Sequence, residues 1–330
     1  MKKINIDTLQ KGDIVLTTST AKKPSGVIRT VSRSDISHAM ICVAYGSVID
    51  STGEGVQARN IQKMIYDDSS PIYILRPKEI LPETVIIEVV NFARSQIGTR
   101  YSKSEAALSV FPKLIKKGGR KQFCSRMVAK AYSSVGINLV DNPDYCTPED
   151  IKKSEQLEFV APSFILVNKE DVDDTTEGFR DVTNKLLVKL RDLDEKIESL
   201  NDVHDLVVQR PDLDANIAQS LRDSGFLEYW RIEVLRFPWR YDPDRIVHYY
   251  HSLDLEDTKK LFAYCDSVIK SDQNGDFDHW ICNAKFYKNQ HSCYGHETFQ
   301  LLAYLYSKLS SLYIEKIQSA NIILKMYRNY

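Results

Sequence analysis

The sequence predicts an α+β domain in its first half and an all-helical domain in its second, from three observations. Short apolar runs in residues 1–168 alternate with turn signals and helix-spaced stretches, the pattern of a small antiparallel sheet with helices beside it. Residues 169–178, K-E-D-V-D-D-T-T-E-G, are polar, acidic and aperiodic, and read as a linker. From residue 179 onward leucines recur in alternating steps of four and three, the spacing of a helical seam. A chain of 330 residues is long enough for two domains, each with its own core.

In order along the first domain, Ile14–Thr18, Ala39–Tyr45, Val48–Ser51 and Ile72–Arg76 read as strands. Each is a short apolar run bounded by polar or turn residues. Glu83–Ile97 carries apolar residues at helical spacing and meets a C-cap glycine at Gly98. Lys103–Lys117 reads as a second helix before the Gly118-Gly119 break, and Ser125–Val135 as a third, ending near Gly136. Thr147-Pro148-Glu149-Asp150 is an N-cap followed by proline at the first helical position. Leu157–Val167 reads as the closing strand.

In residues 179–330, Leu186, Leu190, Leu193, Ile197 and Leu200 form one amphipathic seam, and Phe299, Leu302, Leu305, Leu309 and Leu312 form another. Both suit the core of a bundle better than a partner-binding coiled coil. The dense aromatics of Tyr229–Tyr250, among them Trp230, Trp239, Tyr249 and Tyr250, suit a core better than a docking surface.

Composition excludes several classes. Hydrophobic content of 43% with 27% charged residues is that of a globular protein, not a disordered or fibrous one. No apolar stretch approaches the ~20 residues that span a bilayer. Met1-Lys2-Lys3 is followed by Ile4-Asn5-Ile6-Asp7 instead of an apolar run. The expectation is therefore a cytoplasmic protein made without a cleaved leader, with leaderless export as an effector left open. Six cysteines without close regular spacing suggest reduced thiols. Residues 1–168 hold 23 Lys and Arg against 17 Asp and Glu, a net of +6, and residues 169–330 hold 21 against 28, a net of −7. The basic run of Lys113–Lys121 leads to Cys124; it reads either as a solvated loop or as a peripheral contact with an anionic membrane. The acidic second half has no basic stripe, which argues against nucleic acid.

The chemistry-bearing residues are a histidine and a cysteine. His38 opens the apolar run H-A-M-I-C-V-A-Y, and Cys124 sits where F-C-S-R-M-V-A-K-A-Y turns helical. A thiol at a helix N-terminus feels the positive end of the dipole, which favours thiolate, and a nearby imidazole completes a nucleophilic pair. After His38 the chain runs to the turn Tyr45-Gly46-Ser47 and returns as Val48-Ile49-Asp50. Asp50 lies twelve positions past His38, so the two share parity on the pleat and can face the same side. A carboxylate there can orient the imidazole. Glu54, in S-T-G-E-G-V, is a second candidate for that place. Cys42, mid-strand, and Cys146, in a loop, read as small buried hydrophobes.

The motifs G-D-I-V-L, S-H-A-M-I-C-V, V-I-D-S-T-G-E-G-V, F-C-S-R-M-V-A-K-A-Y and T-P-E-D-I-K-K-S, in that order, resemble the permuted branch of the NlpC-type papain-like hydrolases. This is the YiiX-like group, akin to the lecithin:retinol acyltransferase family. The resemblance covers residues 1–165 only. It implies a circularly permuted papain-like domain with histidine before cysteine, Cys124 as nucleophile, His38 as base and Asp50 as third member. The family often has glutamate or histidine at the third place, so aspartate is a departure. Tyr101, after Gly98-Thr99-Arg100, stands where the family commonly has an aromatic residue, and reads either as cleft lining or as packing.

The expected domains are thus 1–168 catalytic, 169–178 linker and 179–330 helical. The expected activity is hydrolysis or transfer of an acyl group through a thioester, without metal or organic cofactor. Resemblance to cell-wall peptidases implies an amide in a peptidoglycan peptide, and resemblance to the acyltransferases implies a membrane lipid ester; the two stay open. The rival from another class is a papain-like binding or adaptor protein that has lost catalysis. His279-x-x-Cys282 and Cys293-x-x-His296 form a symmetric set of zinc-type ligands, but W-I-C-N-A-K-F-Y between them reads as ordinary helix, so no metal site is expected. Protein partners and oligomeric state are not readable from the sequence.

Overall fold

The structure, a computed structural model, describes residues 1–18, 34–52, 55–61, 64–101, 122–167 and 182–328. The expected helix over 103–117, the basic run of 113–121 and the linker of 169–178 lie outside these residues. The chain divides into two compact units: residues 1–179 with 198–201, and residues 180–197 with 202–330.

The first unit is α+β. Its strands are β1 (Lys2–Ile4), β2 (Ile14–Thr17), β3 (His38–Ala44), β4 (Ser47–Thr52), β5 (Gly55–Asn60), β6 (Ile72–Pro77), β7 (Leu157–Val160) and β8 (Phe164–Leu166). Its helices are α1 (Glu83–Ser95), α2 (Cys124–Ser133) and the short α3 (Pro148–Lys152). Among the described residues the strands form a six-stranded antiparallel sheet, order β5-β4-β3-β2-β6-β7, and a separate pair, β1-β8.

β2 and β3 read as unbroken apolar runs because both faces of the sheet are covered. Ile14, Leu16, Ala39, Ile41, Val43 and Ile49 join one core with Val89 and Ala93 of α1 and Met127, Val128 and Tyr132 of α2. The alternate residues Val15, Met40, Cys42, Val48 and Ile74 join a second with Ile4, Leu9, Ile61 and Tyr66. Fully burying a side chain the size of Met127 or Val128 contributes about 1.5–3 kcal/mol, so tertiary packing holds the ten-residue α2 far more than helix propensity does. Further links fix that helix. Tyr132 donates to the Gly12 carbonyl, Ser125 Oγ to the Cys146 carbonyl at 2.6 Å, and Arg126 Nε to the Asp144 carbonyl at 2.8 Å. Thr147 and Asp150 cap α3 reciprocally, with Pro148 at its first position.

Three elements depart from the sequence expectation, the first being β1, Lys2–Ile4, a three-residue strand that was not expected. The single closing strand expected over 157–167 is two strands: β7 pairs with β6 and β8 with β1, with Pro162 between them. Proline has no N–H to donate to a ladder, so the pairing ends there and the chain changes sheets. β5 was not expected at all; its sequence G-V-Q-A-R-N is polar and lies at the sheet edge, where no apolar run marks it.

The second unit is helical: α4 (Val182–Leu193), α5 (Asp202–Gln209), α6 (Asp214–Ser224), α7 (Trp230–Arg236), α8 (Pro243–His251), α9 (Leu255–Gln273), α10 (Asp278–Tyr294) and α11 (Glu297–Arg328). The α11 seam of Phe299, Leu302, Leu305, Leu309 and Leu312 is buried as its spacing predicts. The first seam is shorter than expected. Leu186 and Leu190 are buried on α4, but the helix stops at Leu193 and leaves Ile197 and Leu200 beyond it. Asp194 Oδ1 accepts from the Lys196 N–H at 2.9 Å, a side-chain turn that competes with helix continuation. Trp239 stacks on Tyr249 with ring centroids 4.6 Å apart and, with Tyr250, packs against the core of Ile246, Leu261 and Cys265. No described helix is long and apolar enough to cross a membrane.

Gly55 has φ near +101°, and a Cβ there would lie 2.8 Å from the Thr99 carbonyl oxygen. The close approach holds β5 against the segment that leads to Tyr101, through Val56 N–H to Thr99 O at 3.0 Å and Gly98 N–H to Val56 O at 2.9 Å. Gly55→Ala is expected to destabilise the protein by roughly 2 kcal/mol or more. Gly136→Ala, also at positive φ but with nothing within 4 Å of the added Cβ, is the milder comparison. Urea denaturation of both variants measures the difference.

Candidate active site

The β3–β4 hairpin turns on Tyr45-Gly46, with Gly46 in the left-handed region at φ 71°. Its register sets Met40 opposite Asp50, so His38, two residues before Met40, lies diagonally across from Asp50 on the same face. The side chains meet there: His38 Nε2 is 2.9 Å from Asp50 Oδ2. Asp50 is 2% exposed. Its other oxygen, Oδ1, accepts from Arg59 Nε at 2.8 Å, and Arg59 Nη2 donates to Thr52 Oγ1 at 3.2 Å.

Cys124 is the first residue of α2, following Phe123 in extended conformation (φ −139°, ψ 164°). No acidic residue stands in the first turn of that helix, so the positive end of its dipole at Cys124 is not offset. The thiol is 5% exposed, and Cys124 lies near enough to His38 to act on the charge of the imidazole. Nε2 is engaged by Asp50, which leaves Nδ1 as the other ring nitrogen.

Burial by itself would keep the His38 ring neutral. The hydrogen bonds to Asp50 and Cys124, with the negative charge those groups supply, outweigh it and push the pKa from 6.5 up to about 10. Burial likewise opposes the charge on Asp50, but the His38 hydrogen bond and charge, followed by those of Arg59, hold the carboxyl below the usual carboxylate range. The imidazole of His38 is therefore kept as a cation through neutral pH.

The segment before Cys124 is fixed from the side. Gln122 N–H donates to the Arg100 carbonyl at 2.9 Å, and Gln122 bridges to Tyr101 in parallel fashion. Gln122 Nε2 donates to Gln96 Oε1 at 2.8 Å. Tyr101 is half-buried near Cys124; burial, then the charge at Cys124, raises its phenol above the ordinary value. The structure thus brings together His38, Asp50, Cys124 and Tyr101. Glu54 lies outside the described residues. Sequence reasoning missed Arg59, whose only available signal was a cation within ten residues of Asp50.

Cys42 and Cys146 are each 1% exposed within the two cores, as small hydrophobes are. Among the described residues no group of three or more His, Cys, Asp or Glu is placed to hold a metal ion. His279, Cys282 and Cys293 all lie on α10, where a rise of ~1.5 Å per residue separates the two thiols by about 16 Å, too far for one ion.

Residues 8–163 match the family of permuted papain-like amidases of the YaeF/YiiX type. The match spans just under half of the chain and supports a permuted papain-like fold and hydrolase chemistry for that segment. The chain is also similar to the crystal structure of the metalloprotein YiiX from Escherichia coli O157:H7, with 19% identity and a TM-score of 0.38, over 47% of this chain and 97% of that one. No curated protein matches the chain.

The raised His38 pKa has a signed consequence for stability. A group whose folded pKa exceeds its unfolded value stabilises fully below the unfolded pKa, so this contribution is present below about 6.5 and is lost as pH rises towards about 10. Wild type should therefore lose more stability than His38→Gln between those pH values, measured by denaturant unfolding. Direct NMR titration of the His38 ring should give a midpoint near 10, falling by at least about one unit in Asp50→Asn.

Proposed function

We propose that residues 1–165 form a cysteine-dependent amide hydrolase working through a thioester. The observation that carries this reading is the grouping of Cys124, His38 and Asp50, with the imidazole hydrogen-bonded to Asp50 and its charge raised by both neighbours. The family's description as amidases favours an amide over an ester as the bond cleaved.

Cys124 thiolate attacks the carbonyl carbon, and the C=O π electrons move onto oxygen. The oxyanion is met by the Cys124 backbone N–H, which stands in the first turn of α2 and has no partner within its own helix. As the tetrahedral intermediate collapses, the C–N bond breaks and the leaving amine takes the proton from the His38 imidazolium. Neutral His38 then takes a proton from water, whose oxygen attacks the thioester. Release of the acid restores the thiolate and the imidazolium. Asp50 holds the ring orientation and stabilises its charge throughout.

An intact, hydrogen-bonded set counts against the inactive binding module, because removing any member leaves a buried polar group unpaired. The lipid ester reading drew on the basic run at 113–121, which adds no support from the described residues. A peptide amide of the cell-wall type is the substrate class we favour.

The test is mass spectrometry of products from muropeptides, other peptide amides and phospholipid vesicles, with wild type and Cys124→Ala. Amide cleavage with wild type alone is the expected result; lysolipid and fatty acid instead would move the assignment to a lipid ester. The hydrolase reading fails if no product forms and iodoacetamide alkylates Cys124 no faster in wild type than in His38→Ala. Cys282, an exposed free cysteine, provides the internal reference rate.

A further inference from the structure

We propose that Arg59 is a positioning residue for this site: its guanidinium sets the orientation and the charge of the Asp50 carboxylate, and through it the His38 ring. The proposal rests on the hydrolase reading above. It begins with register. β4 and β5 pair Asp50 with Gln57 and Val48 with Arg59, so Arg59 lies diagonally across from Asp50 on the same face. From there the side chain is anchored at two points, Nε to Asp50 Oδ1 at 2.8 Å and Nη2 to Thr52 Oγ1 at 3.2 Å.

The two oxygens of Asp50 are thereby divided between partners, Oδ1 to Arg59 and Oδ2 to His38. A carboxylate turns easily about its last torsion, whose wells are broad. With Oδ1 held in a charge-assisted bond, any turn that takes Oδ2 away from Nε2 must break that bond as well. The clamp reaches Cys124 in one further step, because Cys124 acts directly on the charge of the ring that is held at Nε2.

Arg59 also supplies charge. The Asp50 side chain is 3% exposed and that of Arg59 31%, so the guanidinium connects a buried anion to the solvent side of the sheet. An opposite charge at this range lowers a carboxyl pKa by about 1–3 units. Strand pairing does not need the contact: β4 and β5 are laddered from Ser47–Asn60 to Thr52–Gly55 by their backbones.

Iodoacetamide alkylation of Cys124 tests this without any substrate. Rates are followed by peptide mass spectrometry between about pH 4 and pH 9, which brackets the ordinary carboxyl and imidazole ranges, in full-length wild type, Arg59→Gln, Arg59→Lys and Thr52→Val. In Arg59→Gln the plateau rate should fall by about tenfold, within the range over which outer partners tune a site. Its half-maximal pH should rise by about one unit, since a site that loses a cation takes up protons more readily. Arg59→Lys should restore the half-maximal pH but not the plateau, because an ammonium supplies the charge without the fork. Thr52→Val keeps both charges and removes the hydroxyl that accepts from Arg59 Nη2. It should lower the plateau without moving the midpoint, and it serves if the Arg59 variants do not fold.

Wild-type rate and midpoint in Arg59→Gln and Thr52→Val would overturn the proposal while leaving the hydrolase reading in place, provided that His38→Ala slows alkylation. Alkylation indifferent to His38→Ala would sink both.

Discussion

The hydrogen bond between His38 and Asp50 is the constraint on which the site depends, and it exists because of strand register. A hairpin with one more residue between the two would place them on opposite faces of the sheet, since side-chain direction alternates along a strand. The two-residue turn at Tyr45-Gly46 and the apolar residues covered on both faces hold that register in place. A slip by one residue would exchange Ile41 and Ile49 for Met40 and Val48 against the helices, and would carry His38 and Asp50 to the wrong side. The cores on either side of the sheet therefore determine catalytic geometry as much as stability.

The cysteine is placed by a different mechanism. α2 is buried on nearly every side, and its position is fixed at Tyr132, Ser125 and Arg126 by bonds to three separate backbone carbonyls. Arg126 lies fully buried two residues from Cys124, with its guanidinium carbon 4.5 Å from the Phe123 ring centroid and 5.0 Å from that of Tyr145. A cation held there between aromatic faces stiffens the helix start. The same helix therefore carries both Cys124 and the means of holding it still.

Much of this was legible before any coordinates. His38 and Asp50 share parity at a spacing of twelve, and a glycine turn lies between them, so their shared face could be read from residues alone. Cys124 could be placed at a helix start because an apolar run gives way there to helical spacing. Arg59 could not be found that way. Its strand has no apolar pattern, and one cation among the 44 Lys and Arg carries no mark of what it touches. The break at Pro162 was written in the sequence, yet the apolar residues on both sides outweighed it, because hydrophobic pattern shows where strands form but not which partner each one takes. The helix stop at Leu193 escaped for a similar reason: leucine spacing carried past it, and the local turn made by Asp194 competes with the helix without altering the spacing.

Buried charge ordinarily costs several kcal/mol per ion unless each charge is met on every side. With the thiolate formed, Cys124, His38, Asp50 and Arg59 make a row of alternating sign, and each interior member touches two opposite charges. Only Arg59, at one end, has appreciable exposure, and solvent there stabilises the cation that terminates the row. Such a row favours one arrangement of protons over the neutral alternatives, since neutralising any member strands its neighbours. The charge on His38 is thus a property of the row rather than of the ring alone. That is why a cation three groups away from the sulfur, on a polar edge strand, belongs to the chemistry of the site.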